Sequence, residues 1–411
     1  MKRLSLFILV LLIFSVWLAV PRIAMVKAEP LTIVVPDDYS TISWAVGNAS
    51  EGDTIFVKRG TYLEHTLVIG KSLSLVGEDP NNTIIQNIDV YEWDFIGLPP
   101  PIPPVIQINA DNVTISALTI DDPIHLSFGH IVGGGNGTQI IGNIITKGTI
   151  QVSGSHQSII NNTINAMEIG IESRGSYNNI TENYVYGSGG GIYSSGSHNM
   201  VYENIVTADS GLNGGLDISG YENEVANNNV TNFVNIGGSL NIVYGNTITS
   251  NLAIVGNNNV FYANYIQGII LGNRISDASN NTFYHNNFDF IENPWLPEGE
   301  KTFTVWEGVQ GTEILDNGYP SGGNYWSDYN GTDNNRDGIG DIPYIIYTND
   351  TRNYHNMADS NIANIILVDN YPLMEPVDIE NIPEFLSWTP LLIMLVAVAG
   401  LGVIYRRKLH N

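Results

Sequence analysis

The 411-residue sequence has no cysteine, and only 16 of its residues are lysine or arginine. The first absence excludes disulfide stapling, so the fold must rest on buried apolar area and hydrogen bonds. The second leaves a net charge of −25, because the 41 aspartates and glutamates go largely unopposed. Such a chain repels nucleic acid and polyanionic glycans, and nucleic acid is set aside as a partner. A 3.6-residue apolar period is also missing from the middle of the chain, which excludes a helical repeat there.

Long apolar runs stand at the two ends. The first 20 residues, MKRLSLFILVLLIFSVWLAV, start basic and turn apolar, and Val26-Lys27-Ala28 fits a signal-peptidase site before Glu29. Residues 1–28 therefore read as a signal peptide. A second run at 386–405 is closed by Arg406, Arg407 and Lys408. Roughly 20 apolar residues match the ~30 Å hydrocarbon core of a bilayer. The basic cluster keeps the tail, 406–411, in the cytoplasm. Together these ends predict a type I, membrane-anchored protein with its body extracellular, at the cell surface.

Between them one short pattern recurs: apolar, two variable residues, asparagine, one variable residue, apolar. Its copies are Ile140–Asn143–Ile145, Ile159–Asn162–Ile164, Ile180–Asn183–Val185, Val201–Asn204–Val206, Val225–Asn228–Val230, Val243–Asn246–Ile248, Phe261–Asn264–Ile266 and Phe283–Asn286–Phe288. Successive asparagines lie 18 to 24 residues apart. A second alternating segment falls between copies, as in Ile150-Gln151-Val152, Ile169-Gly170-Ile171, Leu216-Asp217-Ile218 and Val234-Asn235-Ile236. Glycine pairs then turn the chain, at Gly154-Ser155, Gly175-Ser176, Gly196-Ser197 and Gly237-Gly238.

β-Branched residues at period two, cut by Gly and Asn, describe short strands and tight turns. A leucine-rich repeat shares the spacing but needs a Leu-dominated frame, which is absent. Stacked coils about 4.8 Å apart put like residues over like, so this is a parallel β-helix. Asparagine suits the recurring position because it tolerates left-handed backbone angles and stacks amide on amide. Earlier, residues 40–47 form a short amphipathic helix capped by Ser40 or Thr41, with Ile42, Ala45 and Val46 on one face, covering the open end of the stack. Leu98-Pro99-Pro100-Pro101-Ile102-Pro103-Pro104 cannot pair in a sheet and is a loop. The body reads as a β-helix at 29–295, a loop-rich C-terminal subdomain at 296–376 and a linker at 377–385.

The stretch Pro36-Asp37-Asp38-Tyr39-Ser40-Thr41-Ile42, then Gly52-Asp53-Thr54-Ile55 and Gly60-Thr61-Tyr62, resembles the opening of NosD-type right-handed parallel β-helix proteins of the pectate-lyase-like superfamily. The run from Asp316-Asn317-Gly318-Tyr319-Pro320 to Asn324-Tyr325-Trp326-Ser327-Asp328-Tyr329, and Asp369-Asn370-Tyr371-Pro372-Leu373, resemble it more closely. The resemblance covers about residues 31 to 375 and implies an all-β fold, a single-stranded right-handed parallel β-helix. Metal-site maturation factors, glycan-active enzymes and surface proteins share it. Pro383-Glu384-Phe385 with the following apolar run resembles an archaeal PEF-type sorting signal, which implies processing by a sortase-like enzyme.

Four groups of residues could carry chemistry. Asp333-x-Asn335-x-Asp337-Gly338-x-Gly340-Asp341 places oxygen side chains at loop positions 1, 3, 5 and 9, with the Ile339 carbonyl at 7, as a hard cation such as calcium requires. Tyr344 replaces the bidentate Glu of a full EF-hand. A glycosidase needs two nearby carboxyl groups, for which Asp209 with Asp217, or Asp121 with Asp122 ahead of His125 and His130, are the candidates. A lyase is disfavoured by the few cations, Lys147, Arg174 and Arg274, available to serve as a base. His156 and His198 fall at equivalent turns two coils apart, about 10 Å, too far for one metal.

The 21 tyrosines and 7 tryptophans include Tyr177, Tyr184, Tyr186, Tyr193, Tyr202, Tyr244 and Tyr262 along the coils, then Trp295, Trp306 and Trp326. Tyrosine favours half-buried strand positions in any case. Sequons occur at Asn112, Asn136, Asn229, Asn330 and Asn349. The expectation is a non-catalytic β-helix protein that binds polysaccharide or envelope components. A carbohydrate-active enzyme and an accessory factor for a metalloenzyme are the alternatives.

Overall fold

The computed structural model describes residues 29–89, 103–123, 129–167, 169–187, 190–208, 215–272, 278–289, 303–305, 313–348 and 365–379. The expected signal peptide, membrane span and tail lie outside them, as do most of the proline loop, His125, Asp209, Arg274, Trp295, Trp306 and Asn349. Among the described residues no helix is long and apolar enough to cross a membrane.

Each turn of the chain lays down three short strands, and each strand pairs in parallel with its counterparts one coil before and after. One face is a 12-stranded sheet running from Thr32–Val35 through Thr54–Val57 to Thr282–Tyr284. The other two faces are joined into one 21-stranded sheet. They join because the strands Thr247–Val255 and Tyr265–Leu271 run through the corner between them, with a register shift between Ile248 and Asn251. The alternation read from the sequence decides which side chains enter the stack. Ile140, Ile159, Ile180 and Val201 sit in register on successive coils, and each is buried. Toward the C-terminus the core turns aromatic: Phe261 stacks on Phe283 at 4.8 Å, and Phe288 on Trp326 at 4.4 Å. Trp326 is therefore part of the core.

Parallel pairing continues beyond residue 295. Ile269 pairs with Phe303 and Phe288 with Trp326, so part of the region expected to be separate adds to the stack. The antiparallel pair Tyr344–Thr348 and Ile365–Asp369 follows, with Tyr344 stacked 4.5 Å from Trp326.

Helix α1 spans Ile42–Asn48, with Thr41 rather than Ser40 as the cap, accepting from the Trp44 N–H, and Ile42, Ala45 and Val46 buried. The first coil also grips both of its ends. The Glu64 carboxylate accepts from the Ile42 N–H at 2.7 Å, and Lys71 Nζ donates to the carbonyls of Gly47 at 3.0 Å and Ala49 at 2.7 Å. A seven-residue helix is marginal alone; these charges complement its dipole.

The recurring asparagines are interior, and their backbone is not left-handed. That conformation belongs to the residue just before each: Asn161 at φ 53°, Glu182 at 57°, Glu203 at 53°, Asn227 at 55°. The asparagine is there for its amide. Asn162 donates its N–H and Nδ2, each at 3.0 Å, to Oδ1 of Asn183, which does the same to Asn204, and so on to Asn286 and Asn324. A second ladder, unmarked in the sequence reading, rises along another corner through Asn178, Asn199, Asn223, Asn241, Asn259 and Asn281. Both are buried, and each amide satisfies backbone groups that the turns would otherwise leave unpaired.

Candidate functional site

The third strand of each coil carries a polar row on its outer side, partly exposed at Gln151, Tyr193, Asp217 and Asn235 and buried at Glu172. In the strands Thr149–Ser153, Ile169–Arg174, Gly190–Ser195, Leu216–Tyr221 and Val234–Ser239, the register aligns Gln151, Glu172, Tyr193, Asp217 and Asn235, one per coil. Flanking positions such as Ile150, Ile171, Ile192, Leu216 and Ile218 point inward and are buried, which fixes the row on the outer side.

The two carboxylates of this row differ. Glu172 is spoken for at both oxygens: Gln151 Nε2 donates to Oε2 at 2.6 Å, and Arg174 Nε donates to Oε1 at 2.6 Å, with the Arg174 guanidinium ion-paired to it. Asp217 has one hydrogen bond among the described residues, from Asn235 Nδ2 to Oδ1 at 3.0 Å. Partial burial pushes its carboxyl above the usual range, against the pull of that amide. Tyr193 separates the two acids by one rung on each side, so their backbones are about 10 Å apart.

Asp217 is thus in this row, and its expected partner, Asp209, lies outside the described residues. Asp121 closes the strand Thr119–Asp121 and Asp122 lies just beyond it, and the two carboxylates have different partners. Asp121 faces outward on the second face, accepting from Gln86 Nε2 at 3.1 Å and from Thr146 Oγ1, whereas Asp122 is buried and accepts from Asn87 Nδ2 at 3.0 Å. Sequence reasoning missed Glu172 for a specific reason. The apolar triplet Ile169-Gly170-Ile171 looked like the equivalent of Ile150-Gln151-Val152, but the register pairs Ile150 with Ile171 and Val152 with Ser173. Ser173 fills an inward slot, bonded to Gln157 and Asn178, and breaks the apolar signal.

In the 333–341 loop the acidic side chains hold loop amides. Asp333 accepts from the N–H groups of Arg336 at 2.7 Å and Gly338 at 3.0 Å, Asp337 from Ile339 at 3.0 Å, and Asp341 from Asn334 at 2.8 Å. The Ile339 amide holds the Asp337 carboxyl below its usual range. Asn335 donates to Asp337 at 2.9 Å. Among the described residues no three His, Cys, Asp or Glu side chains are gathered as a metal cluster. A carboxylate has about four lone-pair sites, so each acid keeps acceptor capacity beyond these amides.

His156 and His198 are held apart by the ring of Tyr177, stacked 5.3 Å from one and 4.7 Å from the other. Ring stacking also uses the faces of many tyrosines. Tyr244 and Tyr262 stack at 5.0 Å, Tyr262 and Tyr284 at 5.4 Å, and Tyr184 and Tyr186 at 5.1 Å, which leaves mainly ring edges for a ligand.

These features define a parallel β-helix protein. No family model matches the sequence and no curated protein matches it, so the likeness to NosD-type proteins rests on the motifs alone. Among solved structures the chain is similar to a variant of a PL6 family alginate lyase, at 13% identity over 74% of this chain with a TM-score of 0.43. It covers 52% of that lyase, about half its length. It is also similar to the catalytic domain of a GH87 α-1,3-glucanase, at 14% identity over 69% of this chain and 70% of the other, with a TM-score of 0.43. Pectin methylesterase from carrot follows at 12% identity over 68% of this chain and 89% of the other, with a TM-score of 0.32. At these values no residue's role transfers from them.

Proposed function

We propose that this chain is a carbohydrate-binding β-helix protein, displayed at the cell surface, whose third face holds a neutral or weakly charged polysaccharide along the stack. The observation that carries this reading is the unbroken register of Gln151, Glu172, Tyr193, Asp217 and Asn235. It repeats hydrogen-bonding groups about every 4.8 Å, comparable to the length of one sugar residue in a chain. Tyr193 adds an apolar surface amid polar groups, the mixture that sugars present in return. A 333–341 loop filled by calcium and an anchor at 386–405 belong to the same reading.

Binding through repeated weak contacts should strengthen with oligosaccharide length. The test is a panel of glycans of increasing length, with product analysis. Affinity that rises with length and falls in Tyr193→Ala supports the reading; no binding to any glycan sinks it. A second reading, hydrolysis, is favoured by one observation: Glu172 and Asp217 lie two coils apart on the outer side of one face, and inverting glycosidases use a pair of carboxyl groups about 6.5–9.5 Å apart. Released reducing ends that disappear in Asp217→Asn would establish it.

A further inference from the structure

The two acids of the row are unequally provided for, and the inequality points to a ligand group. Glu172 has a cation, Arg174, and a bond at each oxygen. Asp217, two coils along, has an amide on Oδ1, while among the described residues none donates to Oδ2 and no cation pairs with it. Its neighbours in the row, Tyr193 and Asn235, are uncharged, and the side chain is partly exposed. A half-buried carboxylate with a spare oxygen is completed by a donor carrying positive charge, because hydrogen bonds to charged groups are the strong ones.

We propose that Asp217 is the charge-reading subsite of this face and that the otherwise neutral polysaccharide bound there places a primary amino group at this rung, as a partly deacetylated N-acetylglucosamine polymer can. This rests on the binding reading above and narrows it. The ammonium supplies N–H donors to Oδ2 beside the Tyr193 rung, where a neutral hydroxyl offers a weaker bond and an acetylated nitrogen no charge. The same geometry excludes uronic-acid polymers, whose carboxylates would face Asp217. Partial burial, which raises the Asp217 carboxyl, agrees with a site short of positive charge.

The test measures binding of the full-length chain to hexamers of glucosamine, N-acetylglucosamine and glucose, at pH 6 and at two salt concentrations. The glucosamine hexamer should bind about tenfold or more tightly than the glucose hexamer. In Asp217→Asn the ratio should collapse toward unity. In Glu203→Gln, which removes the same charge from an exposed turn, it should persist. A ratio that survives Asp217→Asn, or falls equally in Glu203→Gln, assigns the preference to overall negative charge and overturns the subsite. Equal binding of all three hexamers overturns it too, but leaves the broader reading intact. Binding of none removes both.

Discussion

Asn324 donates its backbone N–H to Oδ2 of the buried Asp369 at 2.7 Å and its side-chain amide to the same oxygen at 3.4 Å, as each ladder asparagine donates to the next. Trp326 Nε1 adds a third bond to that oxygen at 2.9 Å. The ladder points its donors toward the C-terminus, so its last rung needs an acceptor, and a carboxylate supplies one. The second ladder ends alike, with the Asn281 N–H on Glu313 at 2.6 Å.

Those ends make stability pH-dependent. Burial pushes Asp369 up to about 6 from 3.8, and Glu313 up to about 7 from 4.5, against the hydrogen bonds each accepts. With folded pKa values above the unfolded ones, the folded chain binds protons more tightly. This contribution is full below the unfolded values and is lost as pH rises through about 6 and about 7. Thermal melts should therefore show a gain on the order of 1–3 kcal/mol between pH 8 and pH 5. Asp369→Asn and Glu313→Gln should each flatten the profile. A profile of the same slope in both variants would refute the assignment.

Replacing one rung breaks bonds in two directions. Asn204→Leu removes the acceptor of Asn183 and the Nδ2 donor to Asn228, leaving only the backbone N–H on that oxygen, and should cost about 1–3 kcal/mol in chemical denaturation. Asn199→Leu, in the second ladder, should cost a similar amount. An unchanged midpoint in either would mean that the ladder adds nothing to stability.

Two glycines should respond oppositely to alanine. Gly196 has φ +123°, and a Cβ there would sit 2.0 Å from the Gly175 carbonyl oxygen, the same close approach made at Gly175, Gly220 and Gly238. Gly196→Ala should leave the chain unfolded or more than about 2 kcal/mol less stable. Gly47, in α1, has open space where a Cβ would go, so Gly47→Ala should stabilise by roughly 0.5–1 kcal/mol. Equal effects would contradict the packing described.

Calcium should raise the melting temperature of the C-terminal part. Asp333, Asp337 and Asp341 lie within nine residues and repel one another without a cation. Melts in millimolar calcium and in EGTA should differ, and Asp337→Ala should abolish the difference. Identical melts of the parent protein would end the calcium proposal.

The sequence by itself determined the coil. Period-two alternation says which side chain is inside, and the recurring Asn and Gly say where the chain turns, because those are local properties of a strand and a turn. Ile140, Ile159 and Ile180 needed no structure to be placed in one ladder. Relations between coils were another matter. The true alignment of Glu172 with Tyr193 and Asp217 depends on a serine, Ser173, occupying an inward slot that the apolar pattern does not reveal. The asparagines of the second ladder also keep a fixed place, two residues before the apolar residue that opens each copy, as Asn178 before Ile180 and Asn281 before Phe283, but only the fold shows these amides stacked inside. The partner of Asn324 lies 45 residues on, across insertions of irregular length, so no period could find it. Only stacking decided these, because the lateral hydrogen bonds that set register form between strands distant in sequence, and each insertion resets the count.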